Sequence, residues 1–424
     1  MGNKWNYLPF TEAVEVNPSV PLKRGKIYPF VDMKAVESSR RGASESESRE
    51  FKSGGARFMP FDTLMARITP CLENGKIARY IPSEGVGGPA FGSTEFIVIR
   101  GREGVTDNDY AYYLTKWEEF RQFAISQMTG SSGRQRVPAD SLAKFLAPAP
   151  ESLSEQRAIA HILGSLDDKI ELNRQMAQTL ESIARAIFKS WFVDFDPVKA
   201  KMEGKQPEGM SEEIAALFPD RLVDSELGMI PEGGEVLKFP EEFDFTMGQS
   251  PPGSSYNEYF NGVPFYQGSA DFGQWYPTER IYCTAPTRFA NKGDVLFSVR
   301  APVGDMNIAL SDCAIGRGLC CIRHKSGSTA LTYLYLTNTK SVMEHNAGEG
   351  AVFKSLSKKQ LAMLPVVSIP DVIAKSFIKI VDPIFEKIQS LEDNARTLCS
   401  LRDTILPRLI SGKIRLKQPE DAAA

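Results

Sequence analysis

The sequence predicts an α+β protein: two mixed α/β domains in tandem repeat, separated by two long helices that form an intramolecular antiparallel coiled coil with pseudo-two-fold symmetry. Three observations predict it. The 424 residues exceed the length at which a single hydrophobic core stops growing. A shift of about 218 residues (Lys169 to Lys387) brings the two halves into correspondence. Apolar residues recur in steps of four and three through both corresponding segments, the pattern of a coiled-coil seam.

The first domain, 1–152, carries short β-type runs punctuated by Gly and Pro, such as Glu95–Arg100, and an apolar helical stretch, Tyr110–Phe123. Within it, Arg40–Arg49 (RRGASESESR) is low in complexity and is expected to be a mobile loop. A helical spacer follows over 153–193, with Ser154 and Glu155-Gln156 supplying its N-cap region. Residues 194–232 are acidic, contain Pro and Gly, and are predicted to be a linker. The second domain, 233–366, has the β-type runs Asp294–Val299 and Gly318–Arg323 and the helical stretch Leu331–Met343. A second spacer, 367–413, and a tail, 414–424, complete the chain.

The repeat is densest in the spacers. Lys169-Ile170, Ala177, Thr179-Leu180, Ile183 and Ile187 fall on Lys387-Ile388, Ala395, Thr397-Leu398, Leu401 and Ile405. Just upstream, Leu142 and Phe145 fall on Leu361 and Leu364, ahead of the Pro-bounded stretches FLAPAP and MLPVVSIP. The seam expected to join the helices comprises Leu166, Ile170, Asn173, Ala177, Leu180 and Ile187 on the first, and Ile384, Ile388, Leu391, Ala395, Leu398 and Ile405 on the second. Asn173 is a polar seam residue of the kind that fixes register, opposite in the repeat to the apolar Leu391. Gly164 and Pro383 predict a matching break, giving a short helix, a kink, and a long helix of roughly 25 residues spanning about 40 Å. The domains share only an echo, LMARITPCLENGKIA (64–78) with VLFSVRAPVGDMNIA (295–309). Similar spacers carrying divergent globules suggest one scaffold presenting two specificities.

The net charge of −3 is unevenly spread. Residues 1–150 hold 20 Lys and Arg against 17 Asp and Glu, a net of +3, whereas 194–232 hold 4 against 10, a net of −6. No apolar run is long enough to cross a bilayer, and MGNKWNYLPF has no apolar core of a secretory signal, so a cytoplasmic protein is expected. The six cysteines (71, 283, 313, 320, 321 and 399) are expected to be reduced and buried. A zinc site from Cys313, Cys320, Cys321 and His324 is the sharper alternative, but its spacing matches no standard ligand pair.

Catalytic signatures are lacking. The only adjacent prolines, Pro251-Pro252 in QSPPGSS, have neither the preceding Asn or Asp nor the following aromatic that a DNA adenine methyltransferase uses to hold its flipped base. There is no G-x4-G-K-[ST] phosphate loop. Asp220 and Glu226 lack the lysine of metal nucleases, and His161 lies in a helical pattern, where it is expected to be packed. The chain reads as a binder, with no catalytic, cofactor or metal residues of its own.

The run LSEQRAIAHILGSLDDKIELNRQMAQTLESIARAIFKSWF (153–192) resembles the central conserved region of type I restriction–modification specificity subunits. SELGMIPEGGEV (225–236) resembles that family's lead-in to its second recognition domain, with Gly234 where an aromatic is usual. The second spacer departs from the pattern, reading Pro370-Asp-Val-Ile-Ala374 in place of the Glu-Gln start. The resemblance covers nearly the whole chain. It implies two target-recognition domains, each reading half of an asymmetric, interrupted site in double-stranded DNA, and helices that set the spacing. It also implies two methyltransferase (modification) subunits bringing S-adenosylmethionine for adenine-N6 methylation, and restriction/motor subunits using ATP and Mg. A coiled-coil adaptor without DNA contact is the alternative.

Base reading calls for Arg, Asn or Gln on loops that reach the major groove. The candidates are Arg67 and, in TGSSGRQRV, Arg134, Gln135 and Arg136; in the second domain they are Tyr266, Gln267, Ser269 and Arg300, with Arg317, between two glycines, placed to approach a phosphate.

Overall fold

The computed structural model describes residues 5–131, 133–346 (340–346 by backbone only) and 355–416. The chain divides into two compact units, Met1–Gln175 with Leu391–Ala424, and Met176–Ser390. The last part of the expected tail, 417–424, lies outside the described residues.

In the first unit a five-stranded sheet runs in the order Val14–Val16, Phe96–Gly101, Thr63–Ala66, Ile77–Tyr80, Gly42–Ala43. A four-stranded sheet runs Glu47–Glu50, Ile27–Val31, Ala90–Gly92, Ala56–Phe58. The second unit repeats this plan. Its four-stranded sheet, Phe243–Met247, Leu319–His324, Val295–Ser298, Met306–Ile308, matches the first four strands of the five-stranded sheet. Its other sheet has the same parallel pair at its centre, Val263–Tyr266 beside Cys313–Ile315, where the first unit has Ile27–Val31 beside Ala90–Gly92. Ala90–Gly92 and Cys313–Ile315 are buried on both faces, as expected of the inner strand of a parallel pair, whereas their partners are buried only towards one end, at Val31 and at Phe265-Tyr266. Each unit also closes its domain with a short antiparallel pair, Trp5–Pro9 with Leu146–Pro150 and Val236–Lys238 with Pro365–Val367.

The long helices are Leu153–Phe192 and Asp371–Ile410. In the first unit Ile159 and Leu163 share a core with Leu406, Leu409 and Ile410, and Arg402 bonds Asp167, so the helices run antiparallel. In the second unit Phe188, Trp191 and Phe192 close around Phe377. Of the predicted seam, Ile170, Ala177, Ile388, Leu391 and Ala395 are buried; Leu166, Asn173, Leu180, Ile187, Ile384, Leu398 and Ile405 are half-buried.

Several expectations are corrected. Neither helix breaks: Gly164 and Pro383 lie inside continuous helices of 40 residues each. Gly164 packs against the Arg41 guanidinium, and Pro383 faces outward, so the apolar pairing on the opposite face carries the helix past both. Tyr110–Phe123 is two helices, Asn108–Lys116 and Glu118–Ser126, interrupted at Trp117, whose backbone is extended. Arg40–Arg49 is no loose loop; it contains the strand Gly42–Ala43 and leads into Glu47–Glu50. The linker folds into helices Asp196–Met202 and Glu212–Ala215 and a hairpin, Leu222–Ser225 with Gly228–Pro231. His161 is exposed rather than packed.

Each domain is fastened to its helices by a buried carboxylate. In the first unit Tyr113 Oη donates to Asp167 Oδ2 (2.7 Å), and Arg402 Nη1 to Asp167 Oδ1 (2.7 Å). Around this pair Arg41 meets Asp168 and Asp109, and Arg79 meets Asp109. Burial, followed by the nearby Arg402 charge, pushes the Lys116 ammonium down to about 8. In the second unit Glu181 accepts from Trp275 Nε1 (2.8 Å) and Tyr333 Oη (3.2 Å), with Arg185 on the same carboxylate. Gln156, of the Glu-Gln helix start, is fully buried: Nε2 donates to the carbonyls of Val105 and Pro150, and Oε1 accepts from Asp107 N. That motif is therefore a polar clamp between helix and domain, while Ser152, not Ser154, accepts from the first-turn amide of Glu155.

Candidate nucleic-acid interface

The echo between the domains marks one structural junction used twice. In the first unit, the strand Thr63–Ala66 ends at Arg67, whose amide donates to Glu95 O (2.9 Å) and whose carbonyl accepts from Val137 N (2.9 Å). In the second, Val295–Ser298 ends at Val299, which donates to Gly318 O (2.9 Å) and accepts from Leu356 N (2.8 Å). The next residues pair alike, Ile68 with Arg136 and Arg300 with Ser355. Each junction therefore joins a strand end, the connection into the neighbouring strand (93–95 or 316–318), and a returning loop.

The first junction brings together Arg67, Gln135 and Arg136. Arg67 borders a cleft of 370 Å³ with Arg57, Ser19 and Thr94, and among the described residues its buried Nε has no hydrogen-bond partner. Gln135 receives Thr69 N on its carbonyl. Arg136 is not poised as a free reader: its guanidinium is held by Glu95 at 2.7–3.0 Å, a forked ion pair that fixes the loop base. Arg134 is exposed near the loop tip, and its neighbour Ser132 lies outside the described residues. Sequence reasoning missed the exposed cations Arg57, on the strand Ala56–Phe58, and Lys23, Arg24, Lys26 and Lys52, which flank the strands Ile27–Val31 and Glu47–Glu50. The KRGK run was the signal available; the turn it forms is tied to Phe51 by Gly25 N→Phe51 O and Phe51 N→Lys26 O.

The second junction brings Gln267 and Arg317 onto one hydroxyl. Gln267 Nε2 donates to Ser250 Oγ (2.8 Å), and Arg317 Nε donates to the same atom (3.2 Å). Ser250 was missed, although it stands in the QSPPGSS segment weighed only for its prolines. Glycines make the arrangement possible: a Cβ at Gly248 would meet Gly316 O at 2.2 Å, and one at Gly318 would meet Gln267 O at 2.5 Å. Arg300 is exposed at the strand end. Tyr266 does not belong to the surface; it is 3% exposed, because its strand lies between two others and is packed on both faces, Tyr266 in one apolar cluster and Phe265 in another. Ser269 opens a single 3-10 turn, where its carbonyl accepts from Phe272 N.

The cysteines are unpaired. Burial pushes the Cys313 thiol up to about 12 and that of Cys321 to about 11, conditions that disfavour thiolate ligands. Among the described residues no group of three or more His, Cys, Asp or Glu side chains could hold a metal ion, and no helix is long and apolar enough to cross a membrane.

Two domains of one topology, each displaying a polar strand junction and each fastened to paired helices, define a tandem recognition protein. The chain belongs to the family described as the type I restriction modification DNA specificity domain, which it matches over residues 67–182 and 231–394. It is 31% identical over 364 residues to a protein of Methanocaldococcus jannaschii described as the type I restriction enzyme MjaX specificity subunit, covering 84% of this chain and 79% of the relative. It is 26% identical over 378 residues to the type I restriction enzyme HindI specificity subunit of Haemophilus influenzae, covering 76% and 81%. Its fold is shared with the type I restriction-modification system S subunit from M. genitalium, with a TM-score of 0.56, 14% identity and 96% of each chain covered. The chain is thus a DNA-specificity component of a restriction–modification system.

Proposed function

We propose that each domain reads one half of a bipartite, asymmetric DNA site and that the paired helices set the separation of the halves. The helices also dock two methyltransferase subunits, which bring S-adenosylmethionine and methylate adenine at N6. Restriction subunits using ATP and Mg join through that complex. The observation that carries this reading is the duplicated junction, where one backbone frame presents Arg67 and its neighbours in one domain and Gln267, Arg300 and Arg317 in the other. Side chains of these types are the ones that discriminate bases in the major groove.

Co-expression with the methyltransferase subunits, followed by single-molecule mapping of modified adenines on genomic DNA, tests the proposal. A split motif with a fixed gap and one modified adenine on each strand is expected. A continuous motif would overturn it. A stable, S-adenosylmethionine-binding complex that modifies nothing would favour a scaffold without DNA contact. Because the chain carries a net charge of −3, its binding to DNA without partners is expected to be weak and to fall steeply with salt.

A further inference from the structure

We propose that Ser250 holds Gln267 and Arg317 as a pre-set pair of base readers, contacting an adenine and a guanine in neighbouring base pairs of the second domain's half-site. The proposal rests on the DNA-reading function above and adds the residues and the bases they prefer.

Three observations carry it. The first is orientation. Ser250 Oγ lies within hydrogen-bond distance of both amide heavy atoms of Gln267 (2.8 Å to Nε2, 3.1 Å to Oε1). The same oxygen receives both the Nε (3.2 Å) and the backbone N–H (3.3 Å) of Arg317. Two long, exposed side chains therefore lose part of their rotamer freedom before any ligand arrives, which lowers the ordering cost of binding.

The second is what remains available. Among the described residues, Arg317 Nη1 and Nη2 have no hydrogen bond or ion pair, and two such parallel donors fit the O6 and N7 acceptors of guanine. The Gln267 amide keeps a donor and an acceptor beyond those facing Ser250, the pattern that adenine N6 and N7 require.

The third is rigidity. Gly316 N donates to Tyr266 O (2.8 Å) and Gly318 N to Gln267 O (3.0 Å), so the residues bracketing Arg317 are stitched to the strand carrying Gln267. Backbone approach is too close for any side chain at Gly248 or Gly318. The corresponding place in the first domain has no such trio. There Ser93 N donates to Val31 O (3.2 Å), and the next residue, Asp32, spends its carboxylate on the amides of Lys34 and Ala35. The two domains should accordingly read different half-sites.

The test is selection from a randomised duplex pool by the full chain, alone and assembled with its methyltransferase subunits. Wild type, Arg317→Ala, Gln267→Ala and Ser250→Ala are compared. Arg317→Ala is expected to lose its guanine preference at one position by roughly 5- to 150-fold. Gln267→Ala should lose the adenine preference at the adjacent position, and Ser250→Ala should weaken both, with the other half-site unchanged. A uniform fall in affinity across all sequences would mark Arg317 as a phosphate contact and overturn the proposal, as would an unchanged selection profile. If an alanine variant fails to assemble, Arg317→Lys and Gln267→Glu, which keep the side-chain bulk, are read in the same way. Wild type that selects no split sequence would instead strike at the DNA-reading function itself.

Discussion

The first and second domains carry the same strand order on different chemistry. The first holds 20 Lys and Arg against 17 Asp and Glu over 1–150, a net of +3; the second holds 12 against 12 over 233–366 and is neutral. In the first, Lys23, Arg24, Lys26 and Lys52 stand on the turn and strand flanks of the four-stranded sheet and Arg57 on its strand Ala56–Phe58, all exposed. In the second, the strand position of Arg57 is taken by Phe289, and a turn pinned by the Asn257 side chain presents Tyr259 (87% exposed) and Phe260 (73% exposed). The fastenings differ in their surroundings as well. Each carboxylate takes a tyrosine hydroxyl and an arginine, Tyr113 and Arg402 on Asp167, Tyr333 and Arg185 on Glu181; the second adds the indole N–H of Trp275, while beside the first Arg41 and Arg79 pair with Asp109 and Asp168. Apolar alternation and a few glycines maintain the topology in both domains. The polar residues laid over it are then available to diverge.

Arg402→Ala leaves the Asp167 carboxylate, 5% exposed, with one partner fewer, and should destabilise the first unit by about 3–5 kcal/mol. Amide exchange during urea unfolding would report the units separately, and the second should be untouched. Glu181→Ala should act on the second unit instead, by roughly 1–3 kcal/mol for each of the Trp275 and Tyr333 donors that finds no other acceptor. Glu181→Gln, which keeps an acceptor, should recover much of the loss. An equal response of both units to either change would show that the two fastenings do not act on separate units.

Two smaller effects belong to the first domain alone. Replacing Lys23, Arg24, Lys26 and Lys52 by alanine should flatten the plot of log affinity for DNA against log salt, by about 0.9 for each residue that meets a phosphate. The smallest effect concerns Lys116, whose ammonium is lowered to about 8 in the folded state against 10.5 when unhindered. Between these values the unfolded chain binds the extra proton, so stability contributed at this site rises with pH and is fully regained only above the unfolded value. Lys116→Met should therefore be more stable than wild type below pH 8, and the difference should fade towards pH 10.5 in paired thermal melts.

Much of this was legible in the residues because periodicity and repetition are collective signals. Ile170, Ala177, Ile388 and Ala395 lie buried where the heptads predicted. Gly164 and Pro383 misled because a breaker's cost is local, while a helix paired along its length is held by many contacts. At the junctions, residue type pointed to Gln267 and Arg317, but their meeting on Ser250 depends on strands far apart in the chain. The surroundings of Tyr266 and Arg136 were illegible for the complementary reason. Whether a tyrosine faces inward, or an arginine finds Glu95 some 41 residues away, is decided by register and not by composition.

The division of the chain into units also sets an order for its synthesis. The second unit is contiguous, Met176–Ser390, and has all its parts once Ser390 has been made. The first is begun at the N-terminus but needs Leu391–Ala424, including Arg402, Leu406, Leu409 and Ile410, to cover its core. The domain translated first must therefore be completed last. Until then its helix presents Ile159, Leu163 and the Asp167 carboxylate without their partners from the C-terminal helix, and a released chain truncated before residue 391 would keep every part of the second unit while lacking those that complete the first.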